Sequence, residues 1–306
     1  MKATSLRAAD LASPKQQRNW DWRAASNFIA GGAGGGLLLC AALAGLDAFA
    51  TRAAILLALV LIGSGLTCVW FEIGRPWRAM NVYRHFSSSW MTREAVVALG
   101  VFAAGGLALL TGASTLIVCA GLLGVGFLYS QARILAANKG IPAWRHPASI
   151  PLMVATGLAE GAGFLSCVAS FTASGPGATV LLGLLVLIAA RAWFWKTYLG
   201  GMVADGAPDA ALGVLNALAP RFLLFGHVLP ALVVMAALAG MPGRAALTLA
   251  AGILVVASGW TMKFTLVRRA AFTQGLSLQR LPVRGKGPAG PVAKPGWKII
   301  HDGNKV

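Results

Sequence analysis

Apolar residues in this chain come in long unbroken runs separated by short polar stretches. Eight runs are long enough for a helix to cross the hydrocarbon core of a bilayer, about 30 Å thick and needing about 20 residues. They cover residues 26–46, 53–73, 95–112, 114–135, 149–171, 178–199, 220–240 and 245–267. Continuous runs predict helices, because a membrane barrel would alternate apolar and polar positions. The third run is short, and Thr111-Gly112-Ala113-Ser114 marks a tight corner into the fourth. The expected fold is all-α, a polytopic membrane bundle of eight transmembrane helices. It divides into a polar segment 1–25, a membrane domain 26–267 and a basic tail 268–306.

Composition agrees with that pattern. Hydrophobic residues make up 57% of the chain and charged residues 11%, with a mean hydropathy of +0.72. A soluble domain carries about 25% charged residues. The charges are also unequal, with 26 Lys and Arg against 9 Asp and Glu. In a soluble chain such an excess would suggest nucleic acid. Here all the basic residues except Arg52 and Arg244 fall at the chain ends or at loops on one side of an eight-span topology. The positive-inside rule then places both termini in the cytoplasm, with the chain in a bacterial inner membrane, and removes the nucleic-acid reading. Residues 1–25 hold no apolar core, so no cleavable signal peptide is expected and the first span serves as its own insertion signal. The Gly/Pro/Lys-rich end of the chain is expected to be extended, docking on a partner or on anionic lipid.

The chain has little with which to hold its own redox centre. Cys40, Cys68, Cys119 and Cys167 stand one to a span without a Cys-x-x-Cys pair, which argues against an iron–sulfur cluster or structural zinc. His85 and His146 fall in loops and His301 in the tail. Only His227 falls in a span, and a transmembrane b-type haem usually needs two facing ligands. The Gly-rich stretch Gly31–Gly36 has no lysine and lies in a span, so it reads as a helix-packing face.

Polar chemistry is densest between Glu72 and Glu94. Gly74 and Pro76 break the second span there, and Arg75, Arg78, Arg84, His85 and Arg93 follow among Trp77, Tyr83, Phe86 and Trp90. A carboxylate, several cations and aromatic walls at the membrane boundary suit a quinone headgroup. Its carbonyls need donors, its ring needs apolar walls, and its two-electron reduction needs two protons. The alternative is that these arginines only obey the positive-inside rule.

This loop resembles that of the membrane anchor subunit of dimethyl sulfoxide reductase-type molybdoenzymes, a family more distantly related to the NrfD-like anchors. The shared motif is Gly74, Pro76, Arg78, Ala79 and Asn81, with Ser89-Trp90 and Arg93-Glu94 opening the third span. The fourth-to-fifth loop, from Arg133 through Ile141-Pro142-Ala143-Trp144 to Pro147, is similar as well. The resemblance implies an eight-span anchor without haem that exchanges electrons with menaquinone or ubiquinone. Its implied partners are a four-cluster ferredoxin-like iron–sulfur subunit and a molybdopterin catalytic subunit. Glu72, Arg75, Arg78, His85 and Glu94 become the candidate quinone-binding residues, and Trp77, Arg84, Trp90 and Trp144 the candidate docking residues. Many members carry His where this chain has Glu72, a substitution that still allows proton relay. Exported members turn the motif loop to the periplasm, whereas the charge pattern here turns it to the cytoplasm. That suits an intracellular substrate such as a coenzyme A thioester. The stretch Asn19-Trp20-Asp21-Trp22-Arg23 through Asn27-Phe28 is similar to anchors of phenylacetyl-CoA:acceptor oxidoreductases.

Glu160 falls in the middle of the fifth span, where an ionisable side chain is a functional candidate by default. With Glu72 it is the candidate proton-handling group, and Arg191 and His227 are its candidate partners. A secondary transporter is the competing reading. It predicts related halves and charges near the midplane, and no inverted repeat is evident. A membrane enzyme acting alone would need a metal or nucleophile constellation, and the sequence offers none.

Overall fold

A computed structural model describes residues 13–73, 81–83, 86–172 and 175–275. Among these, eight helices are long and apolar enough to cross a membrane. They are α1 (Trp22–Leu43), α2 (Ala48–Glu72), α3 (Trp90–Thr111), α4 (Ser114–Ala137), α5 (Ser149–Ala169), α6 (Ala178–Ala204), α7 (Asp209–Leu238) and α8 (Arg244–Arg269). Each expected span has its helix, and the protein is a polytopic membrane bundle.

Local signals fix the ends. Asp21, Asp47 and Ser89 cap α1, α2 and α3 by accepting backbone N–H bonds from Arg23, Ala50 and Thr92. Gly112 ends α3 at φ +69°, a left-handed conformation that glycine adopts without penalty, and makes the tight α3–α4 corner. The main difference from the sequence reading is α7, which starts at Asp209 instead of near residue 220. Pro220 lies inside this helix and does not break it, and a π-helical turn at Leu224–Val228 follows directly. At 30 residues α7 is about 45 Å long, so its early turns extend past a hydrocarbon core of about 30 Å. That extension carries Asp209, which lies between the sixth and seventh apolar runs, at the start of the helix.

The two most enclosed helices, α1 and α5, form the centre. Helix α1 packs on α2, α4 and α5, while α5 also packs on α6 and α8. Small residues permit this. A β-carbon on Gly36 would sit 2.0 Å from the Gly157 carbonyl oxygen, and one on Gly161 would sit 2.2 Å from the Gly36 carbonyl carbon. The two backbones therefore touch, which is the use expected of the Gly31–Gly36 stretch. Large apolar side chains such as Phe49, Leu110 and Phe171 point outward, as a lipid-facing surface requires.

The segments flanking the bundle meet on one face. Gln17 N–H donates to the Ala271 carbonyl and Thr273 N–H to that of Lys15. Trp20 stacks on Trp144 at 4.7 Å, and Trp144 Nε1 donates to the Leu266 carbonyl. The described ends of the chain thus lie on the face that carries the α2–α3 and α4–α5 connections.

Candidate functional site

Where α3 enters the bundle, a cationic and aromatic cluster forms. The Arg93 and Arg133 guanidinium groups lie 4.3 Å and 4.6 Å from the Trp90 ring centroid. Trp90 meets Tyr129 edge-on at 5.8 Å, and Arg133 Nη1 donates to the Tyr129 hydroxyl. Arg93 also donates to the carbonyls of Phe86 and Ser87, and the Thr92 hydroxyl donates to that of Val82. These bonds tie the end of the polar connection to the mouth of α3.

One turn further in, Glu94 is buried. Asn27 Nδ2 donates to its carboxylate at 3.2 Å, and Gln131 faces it from α4. The backbone of α1 explains this placement. Residues Asn27–Gly31 form a π-helical turn, a bulge often found at functional sites. Gln131 Nε2 donates to the Asn27 carbonyl at 2.9 Å, bracing that turn from α4. Gly31 makes room, since a β-carbon there would lie 2.6 Å from Gln131 Nε2.

A second polar group lies deeper. Glu160 of α5 and Lys263 of α8 pair at 2.5 Å with neither side chain exposed. Gly259 and Gly32 leave the space, because β-carbons there would lie 2.4 Å from Glu160 Oε1 and 2.5 Å from Lys263 Nζ. Arg191 of α6 is close enough to Glu160 to act on its charge. Its guanidinium donates to the carbonyls of Val255 and Gly226, to Ser258 Oγ and to His227 Nε2. His227 Nδ1 lies 2.9 Å from the Phe222 carbonyl, so this network makes Nδ1 the protonated nitrogen and leaves Nε2 as acceptor. The π-helical turn of α7 presents both His227 and the Gly226 carbonyl.

The expected site residues are distributed as follows. Glu72, at the end of α2, faces Asp21 and Arg23, while Arg23 donates to the Phe71 carbonyl. It therefore has different neighbours from Glu94. Just outside α1, the hydrogen bond from Arg23 holds the Asp21 carboxyl below its ordinary range. Arg75, Trp77, Arg78, Arg84 and His85 lie outside the described residues. Trp144, an expected docking residue, is buried at 1% exposure and supports the fold from inside. Trp90 remains partly exposed among its arginines. Glu160 takes Lys263 as its direct partner, with Arg191 beside it and His227 beyond. In the sequence Lys263 and Arg191 stand with the flanking charges, yet both are fully buried. Asn27, Gln131, Tyr129 and Arg133 had no assigned role there. Asn27 and Arg133 stand in stretches that carry the family resemblance, while Gln131 and Tyr129 offer only the signal of a polar residue within an apolar run. No group of three or more His, Cys, Asp or Glu side chains able to hold a metal ion occurs among the described residues.

The family model described as DMSO reductase anchor subunit (DmsC) matches residues 36–253, from within α1 into α8. Glu72, Glu94, Gln131, Glu160, Arg191 and His227 fall inside the match, and Asn27 and Lys263 fall outside it. No curated protein matches the chain.

Proposed function

The chain belongs to the DMSO reductase anchor subunit (DmsC) family, and from that premise we propose that it binds quinone or quinol where α3 enters the membrane. The observation that carries this reading is the buried Glu94 carboxylate, held by Asn27 beside Gln131 behind the Trp90–Arg93–Arg133 cluster. The groups suit such a ligand. Asn27 Oδ1 and Gln131 Oε1 are buried acceptors with no donor among the described residues, so a quinol hydroxyl has a place to donate. Arg93 and Arg133 supply donors for a carbonyl, and the Trp90 ring supplies a flat apolar wall. Glu94 gives or takes a proton at that mouth when two electrons move.

Electrons would pass between this site and an iron–sulfur subunit bound on the same face, and through it to a molybdopterin catalytic subunit. The charge distribution supports a cytoplasmic position for that face, with both termini there and residues 268–306 forming a basic cytoplasmic segment. An intracellular substrate of the complex, such as a coenzyme A thioester of the phenylacetyl kind, suits that orientation. Glu94→Gln tests the reading in the purified complex. Quinone-linked turnover should fall about 100-fold or more, the lower end of what a general acid–base group contributes. Dye-linked activity of the catalytic subunit reports that the complex has assembled. Unchanged quinone-linked turnover would refute the site.

A further inference from the structure

Among the described residues, two buried carboxylates, Glu94 and Glu160, share the bundle interior with two buried cations, Arg191 and Lys263, and with the His227 imidazole. The carboxylates and cations come from α3, α5, α6 and α8, and α1 links the Glu94 end to the Lys263 end. Asn27 holds Glu94, and Gln131 faces it. Gln131 Oε1 and Lys263 Nζ both border the space left by Gly32, at 3.4 Å and 2.5 Å from where its β-carbon would stand. Leu128 Cδ1 borders the same space at 3.3 Å, between these two polar atoms in distance, and further oxygens lie to either side of it. Asn27 Oδ1, Gln131 Oε1 and Glu160 Oε1 are all buried without a donor among the described residues, so each keeps a lone pair free to accept a hydrogen bond.

We propose that Lys263 is the internal proton reservoir for Glu94, exchanging a proton with it through the space beside Gly32. The proposal rests on the quinone reading of the Glu94 site. Its basis is charge balance. With both carboxylates ionised and both cations protonated, the four charges cancel. Moving one proton from Lys263 to Glu94 leaves Glu160 opposite Arg191, and the sum is again zero. Arginine cannot take the part of Lys263, because its guanidinium does not release a proton in proteins. The internal transfer itself therefore creates no net charge in the low-dielectric interior, and Lys263 regains its proton from the medium after Glu94 has passed its own on. The groups facing Lys263 are Glu160 from α5 and Gln131 from α4, with Arg191 of α6 and His227 of α7 behind Glu160. Those facing Glu94 are Asn27 and Gln131.

In quinone reduction, one Lys263 N–H bond breaks and its proton joins Glu94, whose O–H bond then breaks as the first quinol O–H bond forms. The second proton comes from the medium at the mouth of α3, and the two electrons come from the iron–sulfur subunit. Quinol oxidation reverses each transfer.

Single-turnover quinone reduction by the purified complex tests this, with a pH indicator counting protons taken from the medium. In the wild-type complex, one proton should be taken up with electron transfer and a second only later, as Lys263 refills. Simultaneous uptake of both would overturn the proposal, whatever the variants do. Lys263→Arg keeps the charge and should slow the turnover by at least about 10-fold, with a new dependence on external pH. Glu160→Gln/Lys263→Met removes the pair as a unit and should slow it similarly. A wild-type rate and pH profile in either assembled variant would overturn the proposal. If Glu94→Gln leaves quinone reactivity intact, the quinone reading itself has failed. If Glu94→Gln abolishes it while both Lys263 variants behave as wild type, only the reservoir has failed.

Discussion

Lys263 and Glu160 meet at 2.5 Å in the middle of the bundle with no exposed surface on either side chain. Removing one partner strands the other charge in a low-dielectric interior. Lys263→Met should therefore destabilise the protein by about 3–5 kcal/mol, whereas Glu160→Gln/Lys263→Met should cost clearly less. Unfolding in mixed detergent would show the difference as non-additivity of the single and double variants. At the surface, the Asp21 cap contributes stability above the ordinary carboxylate pKa, and that contribution is lost as pH falls through its lowered value. Asp21→Asn should flatten the acid limb of a stability-against-pH curve, because the group no longer titrates. Glu160 was conspicuous in the sequence as a lone mid-span carboxylate. Lys263 was not, since nearby basic residues of the tail made it look like one more flanking charge.

Among the elements, α1 and α5 depend on contact between their backbones. Gly36 and Gly161 have no room for a side chain, and the atoms they would strike are main-chain atoms that cannot rotate away. Gly36→Leu or Gly161→Val should lower the thermal midpoint in detergent, with a cost above the usual 1–3 kcal/mol of overpacking. Gly183→Ala, at a position with open space on α6, serves as the control and should be near neutral. The π-helical turns of α1 and α7 bear on the candidate site as well, because each presents an inward polar residue, Asn27 or His227. Such turns leave no mark in a hydrophobic pattern. The same is true of the helical continuation through Pro220, where a span boundary had been expected.

For the whole molecule, the paired segments at Lys15–Gln17 and Ala271–Thr273 place the two described ends of the chain together. A fluorescent reporter fused to the C-terminus should be active in the cytoplasm, and an alkaline phosphatase fusion there should be inactive. The opposite result would invert the proposed orientation and move the partner subunits to the other side. Purification in gentle detergent should recover subunits containing iron and molybdenum, measured by mass spectrometry and elemental analysis.

The sequence by itself determined the number of spans, the all-α membrane class, the one-sided charge and the family motif. Each of these is written in local composition or in the order of runs. Tertiary structure decided which polar residues meet. The inner part of α1 and most of α2 are apolar around their whole circumference, so periodicity names no inward face. Rotation is set instead by where small residues let backbones touch, as Gly36 does on Gly157 and Gly161. That packing turns Asn27 toward Glu94 and leaves room beside Gly32 for Lys263. A charge counted with the tail thereby becomes the partner of Glu160.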